Sequence, residues 1–259
     1  MSESIWTSPT LLAQFRRQAS AYAPSETPGD RKFVAFMVST AGAGRDDLVL
    51  DVACGAGSAT IAFAERCRGA IGIDFAATAL ARARADAKAR GAGNAEFIAG
   101  EFERMPLKTG CVSGAVCRFS FHHFVNPRRV FAEMARVVGE NGWMLIADLL
   151  SADDPEKSER HNRMERLSDP THARALPPGE FEAMFAAEGF RIAMKIVRET
   201  RAGFDDWISF NRTPPERAAR LRALMEEAAE GDRAGLKMTR YGDAIRTVRA
   251  SATYLIERE

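Results

Sequence analysis

Several things are scarce in this chain of 259 residues, and each absence excludes something. It has four cysteines (Cys54, Cys67, Cys111 and Cys117) with no Cys-x-x-Cys pair among them. That argues against a disulfide framework or a zinc site and reads as reduced thiols of a cytoplasmic protein. No uninterrupted apolar run approaches the length of a bilayer span, which excludes a transmembrane enzyme. The opening MSESIWTSPT holds an acid and no basic stretch, so no secretory signal is expected. Charge of one sign is missing too. Lys and Arg total 36 against 35 Asp and Glu, a formal net charge of +1. A nearly neutral chain is a poor candidate for binding driven by phosphate neutralisation, so no nucleic-acid partner is expected. Internal repeats and low-complexity tracts are absent.

What is present is alternation. DLVLDVA (47–53), AIGID (70–74), AEFIAG (95–100), CVSGAVCRFSF (111–121) and WMLIADLL (143–150) read as buried strands. Between them, 58–67, 76–91 and 126–142 read as helices, the last with Asn126 at its cap and Pro127 in its first turn. Strands alternating with helices predict a parallel sheet covered on both faces. After residue 150 the chain changes character. A polar stretch (151–178) holds one helix, 179–190 is an amphipathic helix, 191–200 a strand, FDDWISF and 214–231 helices, and 252–259 a final strand. Residues 1–45 form a separate helical lead-in, and 46–259 the main domain.

The chemistry gathers at strand ends. In VLDVACGAGSAT (49–60), Gly55 and Gly57 stand where the first strand turns into a helix, letting the backbone fold sharply and a ligand approach it. A dinucleotide fingerprint needs Gly-x-Gly-x-x-Gly, but the third position is Thr60, which disfavours a nicotinamide oxidoreductase. Asp51 suits an ammonium group, and Asp74, ending the second strand, suits ribose hydroxyls. Together they describe an amino acid joined to a nucleoside, the make-up of S-adenosylmethionine.

The segments LDVACGAG (50–57), GIDF (72–75), GEFERMPL (100–107), FSFHHF (119–124) and RVVGENGWMLIAD (136–148) together resemble the class I S-adenosylmethionine-dependent methyltransferases, most of all the ubiquinone/menaquinone C-methyltransferase branch. The resemblance implies an α/β, doubly wound, mostly parallel seven-stranded Rossmann-like sheet, with a helical cap inserted at about 151–178 and 204–245. It implies cofactor contacts at Asp51, Ala53, Gly55, Gly57, Asp74, Phe75, Glu101 and Phe102, with S-adenosylhomocysteine as product. Two departures stand out: Glu101 replaces the usual Asp that binds adenine, and GENG replaces KPGG. Tyr22, spaced with Phe15 and Ala19 as in an entrance helix of relatives, is expected to cover the cofactor.

All four histidines fall between strand four and the polar segment after strand five. His122 and His123 are the expected catalytic residues, and His161, His172 and Arg118 are expected to meet the acceptor. Asp148 could be a base or a partner for a histidine. The resulting expectation is methyl transfer to a polar or aromatic small molecule, with homo-oligomers left open. Alternatives are a protein or RNA acceptor, or a non-methylating protein that uses the same fold to bind S-adenosylmethionine.

Overall fold

The structure, a computed structural model, describes residues 28–259. Tyr22 and the entrance helix expected around it lie outside the described residues.

Helix α1 (Pro28–Ala41) leads into β1 (Leu48–Val52), α2 (Ser58–Ala64), β2 (Gly69–Asp74), α3 (Ala77–Ala89) and β3 (Ala95–Ala99). Then come β4 (Val112–Arg118), a 3-10 turn (Phe121–His123), α4 (Pro127–Val137) and β5 (Val138–Leu150). The C-terminal part adds α5 (Pro155–Ser168), α6 (Pro178–Ala187), β6 (Phe190–Gly203), α7 (Phe204–Phe210), α8 (Pro215–Ala229), β7 (Thr239–Tyr241) and β8 (Ala244–Arg258). The sheet order is β3-β2-β1-β4-β5-β8-β6, with β7 paired on β8. From β3 to β5 every pairing is parallel, whereas β8 runs antiparallel to both β5 and β6. This is the expected doubly wound Rossmann-like sheet. Its main path has seven strands, and the short β7 makes an eighth.

Apolar faces explain the layering. Met37 and Val38 of α1, Ile61 and Phe63 of α2, and Leu80 and Ala83 of α3 pack with Val49, Val116 and Leu145. On the other face, Val130, Phe131 and Met134 of α4 and Phe181, Met184 and Phe185 of α6 pack with Leu50, Cys117, Ile146 and Tyr254. A third cluster joins Met164 of α5 to Trp207, Leu221, Met225, Leu236 and Ile245. This core is built from residues after β5 and includes Ile245 of β8, so the C-terminal helices pack onto the far end of the sheet.

Some boundaries differ from the expected ones, for local reasons. Strand four stops at Arg118, because Phe119 takes φ +50° and ends the extension. The helix expected over 126–142 stops at Val137 and the chain passes directly into β5. Asn126 makes no cap bond, its amide donating instead to Glu103 at 3.0 Å. The final strand begins at Ala244, well before residue 252, pairing with β6 beyond the reach of β5. All four cysteines are free thiols. Among the described residues, no helix is long and apolar enough to cross a membrane.

Candidate active site

The strand order reverses between β1 and β4, which places a crevice outside their carboxyl ends. The segment after β1 (Ala53–Gly57) and the turn after β4 (Phe119–His123) therefore face each other across it.

On the β1 side the backbone is forced into the left-handed region at Ala53 (φ +57°), Gly55 (+54°) and Gly57 (+79°). For Ala53 this conformation costs about 1–2 kcal/mol. The two glycines have different reasons to be glycine. Nothing lies within 4 Å of where a Gly55 side chain would begin, so that backbone borders open space. At Gly57 the same position is 2.6 Å from the Phe97 ring and 2.9 Å from Ala83. Gly57 is thus also required by packing.

Two carboxylates hold this turn. Asp51 Oδ2 accepts from the Thr60 N–H at 2.9 Å and the Thr60 hydroxyl at 2.6 Å. This explains Thr60: its hydroxyl ties α2 to β1. Burial pushes the Asp51 carboxyl up to about 6, against the pull of the Thr60 bonds and Arg118, so a cation beside it is welcome. Asp74 bridges two loops, Oδ2 accepting from Gly55 N–H at 2.9 Å and Oδ1 from Ala76 N–H at 2.8 Å. Its pKa is also raised by burial, with backbone bonds opposing. Each Asp74 oxygen carries a second lone pair for a further donor.

Beyond β3, Phe102 is buried and meets Phe75 edge-on at 5.7 Å, while Glu101 is exposed in the turn. Open space at Gly55, flanked by buried acids and an aromatic pair, fits the methionine, ribose and adenine parts of S-adenosylmethionine.

The β4 side carries a dense polar cluster. Asp148, at the end of β5 and almost fully buried, accepts from Phe121 N–H, Leu149 N–H and His122 Nδ1, each at 2.7 Å. It is a partner to a histidine, one of the two roles expected for it. The His122 ring lies 4.1 Å from that of His123 and 5.5 Å from that of His172. The segment after α5 roofs this turn: Ala173 and Arg174 N–H both donate to the His122 carbonyl, at 2.9 and 3.0 Å. His172 Nε2 is 2.7 Å from Asn162 Oδ1, and His161 Nε2 is 3.3 Å from Glu165 Oε1. His161 and His172 are themselves buried; the His172–Asn162 bond joins α5 to the roof, whereas His161 and Glu165 pair within α5. Arg118 ends β4 with its guanidinium 3.5 Å from Asp30 and 3.4 Å from Ser58, on the cofactor side of the crevice.

Missed from the sequence were Asn162, Thr171 and Glu165, the polar residues that hold the histidines. They look like ordinary solvated residues of a charged helix, and only the fold reveals their burial. Two surface hollows, of about 460 and 450 Å³, are lined by Arg84, Lys88 and Phe97 and by Asp47, Arg68 and Trp143; they lie outside this crevice.

Comparison with known proteins agrees with this geometry. Residues 49–142, which span β1 and the start of β5, match the methyltransferase domain family. The chain is accordingly an S-adenosylmethionine-dependent methyltransferase, with S-adenosylmethionine as its cofactor. It is similar to the uncharacterized methyltransferase YcgJ of Bacillus subtilis (strain 168), at 28% identity over 83% of this chain and 85% of that protein. The crystal structure of YcgJ covers 87% of this chain and 97% of its own, with a TM-score of 0.81 and 26% identity. The uncharacterized protein YafE of Escherichia coli (strain K12) is 22% identical over 67% of this chain and 84% of its own. A geranyl diphosphate methyltransferase in complex with S-adenosylmethionine shares the fold, with a TM-score of 0.65 at 12% identity, over 100% of this chain and 93% of its own.

Proposed function

We propose that the chain methylates a small-molecule acceptor bound between the glycine turn and the His122–His123 turn. Asp51 takes the cofactor's ammonium group, Asp74 its ribose hydroxyls, and Glu101, Phe75 and Phe102 its adenine. The backbone of Ala53, Gly55 and Gly57 borders the methionine part, and Arg118 faces its carboxylate or an anionic group of the acceptor. When bound, the cofactor supplies a methyl group already activated on a sulfonium. The protein then mainly holds methyl and acceptor in line and excludes water.

The observation that carries the small-molecule reading is the roof. The chain's own 169–176 segment is hydrogen-bonded onto the His122 turn, closing that end of the crevice. Residues 151–178 and 204–245 act as the cap. The aromatic and polar lining favours a polar or aromatic acceptor.

The test is to incubate the chain with methyl-labelled S-adenosylmethionine and, separately, a low-mass extract, total RNA and bulk protein. Label entering low-mass products is expected. Label confined to RNA or protein overturns the reading, and binding of the cofactor without transfer to any pool marks a non-methylating protein.

A further inference from the structure

The two adjacent histidines are held by different partners, and those partners fix where each ring carries its proton. Asp148 can only accept hydrogen bonds, and it lies 2.7 Å from His122 Nδ1. That nitrogen therefore carries hydrogen, and the lone pair of neutral His122 sits on Nε2. At His123 the logic takes one more step. The Thr171 hydroxyl has a single proton, donated to Asp169 Oδ1 at 2.7 Å. Toward His123, both Thr171 Oγ1 and the Thr171 carbonyl can only accept, and each lies 3.1 Å from Nδ1. His123 also carries hydrogen on Nδ1. His172 is held differently: its Nε2 lies 2.7 Å from Asn162 Oδ1 and 3.3 Å from the Ala175 N–H, which donates to both.

We infer that His122 is the general base that deprotonates the methyl acceptor, with Asp148 its positioning residue. This rests on the small-molecule reading above and narrows it: the accepting atom bears a proton to lose, as in a phenol, an enol or an activated carbon acid. A thioether or tertiary amine has no such proton. The acceptor's proton passes to His122 Nε2, and the electron pair it leaves forms the bond to the methyl carbon. The pair of the broken C–S bond stays on sulfur, giving S-adenosylhomocysteine. The imidazolium is held by Asp148 until it returns the proton to water.

Electrostatics separate the two rings in the same sense. The groups facing His122 are Asp148 on β5, Glu165 on α5, Asp169, His123 and His172. Burial alone would depress His122, but the Asp148 charge and hydrogen bond, with Glu165 and Asp169 behind them, raise it above the ordinary value. Burial and the neighbouring His122 hold His123 down to about 4. Burial likewise holds His172 down to about 2, with Glu165 opposing. His122 is the ring of this trio built to accept a proton near neutral pH.

The test uses the full chain labelled with 15N-histidine, whose four imidazoles are few enough to assign with His122→Gln and His123→Gln. At neutral pH His122 and His123 are expected to hold hydrogen on Nδ1. Only His122 of this trio should titrate above the ordinary value. Asp148→Asn should shift its titration downward, and with it the pH profile of transfer. His122→Gln should lower transfer by about 10²–10⁴-fold. Neutral His122 with hydrogen on Nε2, or His123 protonating at or above 6.5, overturns the assignment. The wild-type spectra suffice if Asp148→Asn does not fold. A labelled product bearing a new fixed positive charge, a sulfonium or quaternary ammonium, overturns the acceptor class. Absence of any low-mass product overturns instead the reading on which this one rests, and calorimetric binding of the cofactor is scored separately.

Discussion

The ring of Phe97 fills the space that a side chain on Gly57 would need, its nearest atom 2.6 Å from the ideal Cβ position. Gly57 and Phe97 thereby fasten the glycine turn to β3. Gly57→Val must displace a buried ring and force a β-branched residue to φ +79°. Overpacking and backbone strain each cost about 1–3 kcal/mol. We expect a markedly lowered Tm, with loss of cofactor binding secondary to it. Gly55→Ala, whose methyl meets only open space, should fold with a cost of about 1 kcal/mol and still weaken the cofactor. Thermal unfolding of both variants, with and without S-adenosylmethionine, separates the two glycines. Equal Tm losses would remove the distinction.

Asp51 is an acid kept in the core at a cost to stability. Its folded pKa of about 6 lies above the ordinary 3.8, so between these values the folded chain binds more protons than the unfolded one. By linkage, this group makes stability fall as pH rises from about 4 to about 6. The full effect is on the order of 3 kcal/mol above that window. Asp51→Asn keeps an oxygen for Thr60 and removes the charge. We expect the variant to lose this pH dependence, to unfold at higher denaturant concentration near neutral pH, and to bind S-adenosylmethionine more weakly. Denaturant midpoints measured from pH 4 to 8 check it; parallel curves for variant and wild type would refute it.

The buried Glu165 joins α5, part of the proposed cap, to the sheet. One helix, α5, supplies it, and its partners are Arg249 on β8, His161 one turn away and Trp207 Nε1 at 3.2 Å. Burial pushes its carboxyl up, but Arg249 and His161 overcome this and hold it well below the ordinary 4.5. Its contribution is present above the ordinary carboxylate range and is lost as pH falls through the depressed folded value. Glu165→Gln leaves Arg249 facing a neutral amide, and breaking a buried pair costs about 3–5 kcal/mol. Hydrogen exchange should show the α5–α7–α8 core opening first in this variant. Uniform protection loss over the sheet would contradict a cap-specific role.

The chain's regular half was legible because β1, β2, β4 and the body of β5 are continuous apolar runs, a pattern that burial on both faces demands. The strand-end acids were legible for the same reason: Asp51, next to last in β1, and Asp74, last in β2, break those runs. What stayed hidden depends on partners distant in the chain. The start of β8 reads AIRTVRA, whose alternation is matched by β6 and not by any local signal. Asn162 and Thr171 look solvent-facing in sequence, yet both are buried and fix the histidines. The positive φ of Phe119, which ends β4, has no sequence signature at all.

Tyr254 lies in β8, fully buried beside Phe181 and Phe185, and its hydroxyl has no hydrogen-bond partner among the described residues. A buried hydroxyl without a partner costs about 1–3 kcal/mol. Tyr254→Phe removes that oxygen and keeps the ring stacking. The variant should be as stable as the wild type or more so, by up to about 2 kcal/mol, with cofactor binding unchanged. A clear loss of stability in urea unfolding would reveal a partner for the hydroxyl.

Asp74 performs two tasks that can be taken apart. Its oxygens accept from the Gly55 and Ala76 N–H groups, tying the glycine turn to the start of α3. On the proposed reading their remaining lone pairs take the ribose hydroxyls. Asp74→Asn retains one acceptor oxygen and loses the charge; Asp74→Ala loses everything. Charge-assisted bonds to two hydroxyls are worth about 1.5–3 kcal/mol, so Asp74→Asn should weaken S-adenosylmethionine by roughly 10–100-fold. Asp74→Ala should do the same and also lower Tm, because two backbone donors lose their partner. The sharper readout is a deoxyribose analogue of the cofactor. Wild type should prefer the ribose form, and both variants should bind the two forms nearly alike. A variant that keeps the full wild-type preference would show that another group reads the hydroxyls, leaving Asp74 with the turn alone.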